Sequence, residues 1–238
     1  MLRRIAAASA CLLFAVPALR AQNIAEICRH VMTAPTGSWS RFRFEGGREN
    51  GATMRMAVVG TESHGDTTYE WLEMEMHGLM TGLGRGTAGD DSMTMISKML
   101  VRGFGPGMVA PRAAIMKFGS LPAMEMPMNG PRMGNQNPGS EALRNCENSK
   151  VIGWESVTVP AGTFRALHVQ DSQGRDDSWI VPDLPFALVR TGNVRDSSQL
   201  VLVAHGSGAR SAITETPQPF NPQVFMQLMM QQRGGGGH

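Results

Sequence analysis

Hydrophobic and polar residues alternate between residues 151 and 171 as they do in half-buried β-strands. Val157 and Val159 are separated by polar residues, which gives the two-residue period of a strand. The sequence Pro160-Ala161-Gly162 places proline and glycine where a type I turn prefers them. Residues 163–171 then predict a second strand, with its apolar residues shared between the two faces.

Further turns follow along the same stretch. Gln173-Gly174 predicts a turn, and Trp179-Ile180-Val181 leads into a segment bounded by Pro182 and Pro185. Residues 187–191 are again typical of a strand. Because short strands alternate with short turns, the stretch predicts an antiparallel meander and a mainly β fold.

The rest of the chain contains similar strand candidates. Alternation and turn residues predict these strands: 38–45, 52–62, 67–77, 112–118, 199–205 and 209–215. The last two would form a hairpin about Gly206-Ser207-Gly208. The sequence therefore predicts a second group of strands before the meander and one hairpin after it.

Three short helices are expected at the places where apolar residues recur at helical spacing. The first covers residues 22–31, and the last begins at Asn221, an N-cap followed by Pro222. The second covers residues 92–102, with Ser92 as its N-cap and Gly103 at its end. Its apolar side would consist of Met95, Ile96, Met99 and Leu100.

The N-terminus has the composition of an export signal. Arg3 and Arg4 precede an apolar run, and Ala21 is a small residue at which cleavage could occur. Removing residues 1–21 leaves 19 basic residues against 20 acidic ones, because Arg20 is lost as well. A charge so close to neutral predicts no nucleic-acid partner. No later segment approaches about 20 unbroken apolar residues, so no transmembrane segment is expected.

Two cysteines, Cys28 and Cys146, lie outside the signal. In an oxidising compartment an isolated pair of this kind favours a disulfide bond. Such a bond would join the N-terminal segment to the start of the meander, and the alternative is two separate buried thiols. A location in the periplasm or outside the cell follows from the signal and from this pair.

The meander also resembles a known group of proteins. Residues 153–166, together with Trp179, Pro182, Pro185 and Val189, resemble uncharacterised bacterial exported proteins. These are thought to share the open half-barrel of the lipoprotein carriers LolA and LolB. The resemblance implies a curved antiparallel sheet with an apolar concave face, and it brings no catalytic residues.

Methionine is the most unusual feature of the composition, with 18 residues outside the initiator. Met54 and Met56, and likewise Met74 and Met76, are two residues apart and would lie on one face of a strand. One interpretation is a closed core. The other is a groove for an apolar or lipid-like ligand, since methionine adapts to irregular guests. The expected ligand-binding residues are Met54, Met56, Leu72, Met74 and Met76 in the groove, covered by Met95, Ile96, Met99 and Leu100 from the second helix.

Copper binding is the alternative function. Thioethers select Cu(I) and Ag(I), and residues 71–77 resemble the Trp-x-x-Met-x-Met segment of periplasmic copper carriers such as CusF. The candidate ligands are Trp71, Met74, Met76 and His77. In a regular strand, however, Trp71 and His77 point away from the two sulfurs, so we expect no metal ion or other cofactor at this segment.

Motifs of common enzymes are missing from the sequence. It contains no His-Glu-x-x-His, no Cys-x-x-Cys and no Gly-x-Ser-x-Gly. Lone strand histidines such as His168 and His205 are more often structural than catalytic. We therefore expect a non-enzymatic protein with a signal peptide (1–21), one β domain (22–215) and a C-terminal helix with a disordered tail (216–238). A purely structural envelope protein without a ligand is the other alternative.

Overall fold

The structure is a computed structural model that describes residues 24–30, 33–47, 49–78, 94–102, 111–127, 146–193, 195, 197–223 and 226. It is mainly β, with one open, curved sheet of twelve strands and little helix. The elements are α1 (Ile24–His30), β1 (Trp39–Glu45), β2 (Thr53–His64), β3 (Thr67–His77), β4 (Met95–Val101), β5 (Ala113–Phe118), β6 (Met124–Glu125), β7 (Lys150–Val159), β8 (Gly162–Gln170), β9 (Asp176–Ile180), β10 (Leu188–Asn193), β11 (Gln199–Gly206) and β12 (Gln218–Pro219).

The sheet consists of two antiparallel meanders joined side by side. Its strand order is β12-β6-β5-β4-β3-β2-β1-β11-β10-β9-β8-β7. The strands β1 to β6 form the first meander, and β7 to β11 form the second. The two are joined where β1 pairs with β11, from Trp39 opposite Gly206 to Glu45 opposite Gln199. The short β12 pairs with β6 in parallel.

The second meander curls back on itself without closing. The turn between β7 and β8 reaches β11, where Ala161 N donates to Leu202 O at 3.2 Å. Val157, Val159 and Ala166 of this hairpin belong to the same buried cluster as Trp179, Val201 and Leu202. The curl therefore encloses apolar side chains that are continuous with the main core.

The helix α1 covers the other face of the second meander. Ile27 and Cys28 pack with Leu167, Val169 and Ile180 in a second buried cluster. Cys28 is bonded to Cys146, with α-carbons 5.7 Å apart. The predicted disulfide is thus present and fastens α1 to the start of β7.

The strand predictions agree with the structure wherever the pattern was local. The predicted ranges 38–45, 52–62 and 67–77 became β1, β2 and β3, and 112–118 became β5. The predicted meander of residues 151–191 became β7 to β10, with turns at Pro160-Ala161 and at residues 172–174. The prediction of a mainly β, curved antiparallel sheet is confirmed at this level.

The predicted second helix is wrong. Residues 95–101 form β4, which pairs with β3 on one side and β5 on the other. Because side chains alternate in a strand, Met95 and Met99 lie on one face and Ile96 and Leu100 on the other. Ile96 and Leu100 are only 6% and 2% exposed, so they cannot belong to a cover over the methionine side chains.

The predicted hairpin partner at residues 209–215 is also wrong. This segment forms no strand, and it crosses the sheet instead of pairing with β11. Ala212 N donates to Glu73 Oε1 at 2.9 Å, and Ser211 Oγ donates to Glu73 Oε2 at 2.5 Å. Ile213 packs with Ile96 and Ala123. The buried carboxylate of Glu73 therefore accepts hydrogen bonds from this segment, which has no neighbouring strand to accept them.

The chain ends are described only in part. Pro222 and Gln223 are helical, and Asn221 Oδ1 accepts a hydrogen bond from Gln223 N at 3.0 Å, as an N-cap does. The predicted signal at residues 1–21, and the tail beyond Met226, lie outside the described residues. Among the described helices, none has the length and apolar composition that a membrane crossing requires.

Removal of the disulfide should destabilise the protein. The bond closes a loop with a sequence separation of 118 residues, for which chain entropy predicts about 4–5 kcal/mol. We expect the Cys28→Ser/Cys146→Ser protein to lose about 2–5 kcal/mol in urea unfolding, because measured values fall below that estimate. The wild type measured in a thiol reductant is the control and should match the variant. An unchanged urea midpoint in both samples would contradict the structural role of the bond.

The Glu73 anchor can be tested by a second substitution. Glu73 is 1% exposed, and Arg55 Nη1 lies 3.8 Å from its Oε1. Glu73→Ala leaves the Ala212 amide and the Ser211 hydroxyl without their acceptor and removes one of the two carboxylates beside Arg55, so we expect a loss of about 3–5 kcal/mol. Glu75→Ala, which removes a neighbouring and less buried partner of Arg55, serves as the matched control. Equal losses for both variants in urea melts would show that Glu73 has no special role.

Candidate functional site: the methionine face

Seven of the nine predicted binding residues lie on one face of the first meander. We call this the methionine face: Met54 and Met56 of β2, Leu72, Met74 and Met76 of β3, and Met95 and Met99 of β4. The other two, Ile96 and Leu100, lie on the opposite face. The strand alternation that was predicted for β2 and β3 thus extends one strand further than expected.

The side chains form rows that run across the strands. In one row Met54 lies opposite Met76, and Met76 opposite Met95. In the neighbouring row Met56 lies opposite Met74. Directly opposed residues of antiparallel strands have their β-carbons about 4.5–5.5 Å apart, so the thioethers of each row are in side-chain contact range.

Four residues extend these rows, and the sequence-based prediction did not include them. Phe42 lies opposite Met54, and Phe118 lies opposite Met95. Met116 pairs with Ser97 and with Met124 at the end of the second row. Alternation within residues 113–118 was a usable signal for Met116 and Phe118, since Lys117 separates them.

Burial decreases along the methionine face. Met56 and Leu72 are 5% and 1% exposed and belong to the main core. Met54, Met74 and Met99 are half-buried and pack against that core. Met76 and Met95 are also half-buried, yet they belong to none of the hydrophobic clusters in the described part of the chain. The face is therefore closed at Met56 and Leu72 and half-buried at its other five residues.

The closed end is filled by the connection between β9 and β10. Phe186 is 1% exposed and belongs to the main core. Its backbone N donates to Thr33 O at 2.8 Å, and Ser40 Oγ donates to Pro185 O at 2.8 Å. Phe186 and Ala187 have φ of 62° and 53°, a conformation that is uncommon for residues other than glycine. Tertiary packing therefore holds this connection in place.

A cleft of about 440 Å³ opens beside this connection. Leu184 and Ala34 in its wall also pack against the main core. Glu70, two residues before Leu72 on the same side of β3, contributes a carboxyl group. Burial raises the pKa of Glu70 above its ordinary value. The full lining is Thr33, Ala34, Pro35, Ser38, Glu70, Pro182, Asp183, Leu184 and Pro185.

The alternative copper ligands do not converge. Trp71 and His77 lie on the face opposite Met74 and Met76, as strand alternation requires. Trp71 Nε1 donates to Glu62 Oε2 at 3.0 Å, and His77 Nε2 lies 2.8 Å from Glu75 Oε1. The two pairs of candidate ligands are thus separated by the sheet, and one ion cannot contact all four.

Together, the fold and the site define an open, curved β-sheet protein with a methionine-lined apolar face that is partly filled by its own chain. No family model and no curated protein sequence matches the chain. Among solved structures it is similar to a candidate exported protein with a YmcC-like fold from Bacteroides fragilis, at 13% identity over 74% of this chain and 99% of that chain, with a TM-score of 0.37.

Two further solved structures are similar at the same level. A candidate lipoprotein from Parabacteroides distasonis is 14% identical over 74% of this chain and 98% of its own, with a TM-score of 0.36. A DUF1329 family protein from Desulfovibrio piger is 11% identical over 81% and 93%, with a TM-score of 0.31. At these TM-scores the similarities assign neither a family nor a ligand to this chain.

The raised pKa of Glu70 has a consequence for stability. Folding favours the protonated form, so its contribution is complete below the ordinary pKa and is lost as pH rises through the raised pKa. Glu70→Gln removes that loss. We therefore expect the variant to be slightly more stable than the wild type at pH 7 and equally stable at pH 3, by thermal melts. Glu125→Gln, at an exposed position of β6, is the control, and the same pH dependence in both variants would contradict the burial of Glu70.

Proposed function

We propose that the protein binds or carries an apolar or amphipathic, lipid-like ligand on the methionine face, without chemistry. The observation that carries this proposal is the row Met54–Met76–Met95, which is in register across three strands but outside the main core at its last two members. A closed core of leucines and valines would be the simpler way to fill an interior. Unbranched thioether side chains suit a surface that must repack around different guests.

The two ends of the face suit an amphipathic ligand. From Glu70 to Met76 β3 rises by six residues, about 20 Å. One end presents Met76 and Met95, and the other presents the cleft with Glu70. An acyl chain would gain about 25 cal/mol per Å² from the apolar area that it buries, before ordering costs. A polar headgroup in the cleft would meet a carboxyl group, which can donate a hydrogen bond when protonated.

The cellular site that we propose is the bacterial envelope. The predicted export signal and the Cys28–Cys146 bond support it, because disulfides persist in oxidising compartments. The resemblance of the β7–β10 sequence to exported half-barrel proteins points in the same direction. We assign no catalytic residue and no nucleic-acid partner.

The proposal is tested by uptake of a fatty-acid probe whose fluorescence depends on its environment. We expect the purified mature protein to bind the probe and the Met76→Gln/Met95→Gln protein to bind it at least about tenfold more weakly. Loss of apolar contact at two side chains corresponds to about 1.5–3 kcal/mol, and each 1.4 kcal/mol is a factor of ten. Because both residues lie outside the core clusters, urea stability should change by less than about 1 kcal/mol.

Met226→Gln is the matched control, since Met226 is 54% exposed and belongs to none of the strands. It should leave probe affinity unchanged. A wild type that takes up no probe would show that the methionine face is structural. A double glutamine variant that loses about 2–5 kcal/mol, as a core truncation does, would lead to the same conclusion.

A further inference from the structure

A second candidate binding site lies in the second meander, on the side of the sheet opposite the methionine face. His168, Trp179 and Arg190 are directly opposed on β8, β9 and β10. Arg190 is in turn opposite Val201, whereas the adjacent Leu202 is opposite Phe42 of the methionine rows. The three side chains therefore form a ladder on the other face of the strands from the methionine rows, and Trp179 also packs within the main core.

The Trp179 ring is held in place from several sides. The His168 ring stacks on it, with centroids 4.5 Å apart and planes inclined by 17°. Trp179 Nε1 donates to Glu155 Oε1. His168 Nε2 lies 3.0 Å from Asp177 Oδ1. The indole is 8% exposed, so burial and these contacts together fix the position of the ring, which forms the floor of the site.

The guanidinium group of Arg190 rests on this floor and lacks an anionic partner. Its Cζ lies 4.2 Å from the centroid of Trp179. Arg190 Nε is buried without a hydrogen-bond partner, and the group forms no ion pair with the described residues. Buried donors are nearly always paired, and a guanidinium fork matches the two oxygens of a carboxylate. The guanidinium group of Arg190 is therefore positioned to donate hydrogen bonds to an acceptor from outside the protein.

The space for that acceptor is present. A pocket of about 190 Å³ adjoins Arg190 and is also lined by Ser197 and Gln199, which supply further donors. Gly192 contributes to the opening because it has no side chain. A β-carbon at Gly192 would lie 3.2 Å from Gln199 Cγ, so alanine at this position would narrow the opening and displace Gln199.

We propose that this pocket binds a carboxylate group, with Arg190 as the bidentate donor and Trp179 as the floor. Asp177 in the wall repels a doubly charged phosphate more strongly than a singly charged carboxylate, because the repulsion grows with the charge. The small volume admits a short carboxylic acid or the C-terminal carboxylate of a peptide. Both sources present the same planar anion to Arg190.

The test is an NMR titration of the ¹⁵N-labelled mature protein. The probes are acetate, neutral acetamide, inorganic phosphate, and an acetylated tripeptide with either a free or an amidated C-terminus. We expect acetate to shift the Arg190 Nε–H and Trp179 Nε1–H resonances saturably, and acetamide to shift neither. If the peptide with a free C-terminus binds more tightly than acetate and its amide does not bind, the source is a peptide; if acetate binds at least as tightly, it is a small acid.

The variants separate the roles of charge, geometry and space. Arg190→Gln should weaken acetate binding at least tenfold, and Arg190→Lys should recover only part of it because the fork is lost. Gly192→Ala keeps Arg190 and should also weaken binding by occupying the pocket. The matched control is Arg165→Gln, since Arg165 also lies over an indole, that of Trp154, at 6.0 Å but at an exposed position.

Three results would overturn the proposal. One is a wild type in which no anion moves the Arg190 resonance, which needs no variant to fold. Another is phosphate binding more tightly than acetate. The third is an equal effect of Arg190→Gln and Arg165→Gln on acetate affinity. Probe uptake by the methionine face should be unaffected in Arg190→Gln, so the two sites can fail independently.

Discussion

The pairing of β1 with β11 is the constraint on which the whole sheet depends. It joins residues about 160 positions apart in the chain, from Trp39 opposite Gly206 to Glu45 opposite Gln199, and makes one sheet of two meanders. It also determines which face of the sheet each apolar side chain occupies. The register shift between Arg41 and Phe42 places Phe42 opposite both Met54 and Leu202, so the methionine rows continue into the second meander's core. A one-residue slip here would turn every apolar row to the other face.

Local chemistry made most strands predictable. Pro160-Ala161-Gly162 and the alternation about Val157 determine β7 and β8 without help from the rest of the chain. The error at β4 has a physical cause, because this strand carries apolar side chains on both faces. A continuous apolar strand and a helix share the pattern of Met95, Ile96, Met99 and Leu100. The error at 209–215 came from long-range pairing: both edges of β11 are already occupied, by β1 and β10.

The site was predictable to the same extent as the strands. The alternation of methionines in β2 and β3 revealed their common face, but the residues that complete the rows come from β1, β5 and β6 and required the strand order. The filling of the closed end by Phe186 could not be foreseen, since it depends on a left-handed backbone stabilised by distant partners such as Thr33 and Ser40. His168, its two carboxylate neighbours and the open donor of Arg190 likewise come from four different strands.

Each end of the described chain packs on the meander that is formed by the other half of the sequence. The N-terminal helix α1 packs on β8 and β9 of the second meander, whereas the C-terminal segment with Ser211, Ile213 and Glu215 packs on β3 to β6 of the first. Neither meander can therefore complete its own cover during synthesis. The N-terminal half must wait for the last residues of the chain, and the first residues must wait for the second meander. Folding of this kind is dominated by contacts of high sequence separation and is correspondingly slow, and it couples both halves into one cooperative unit.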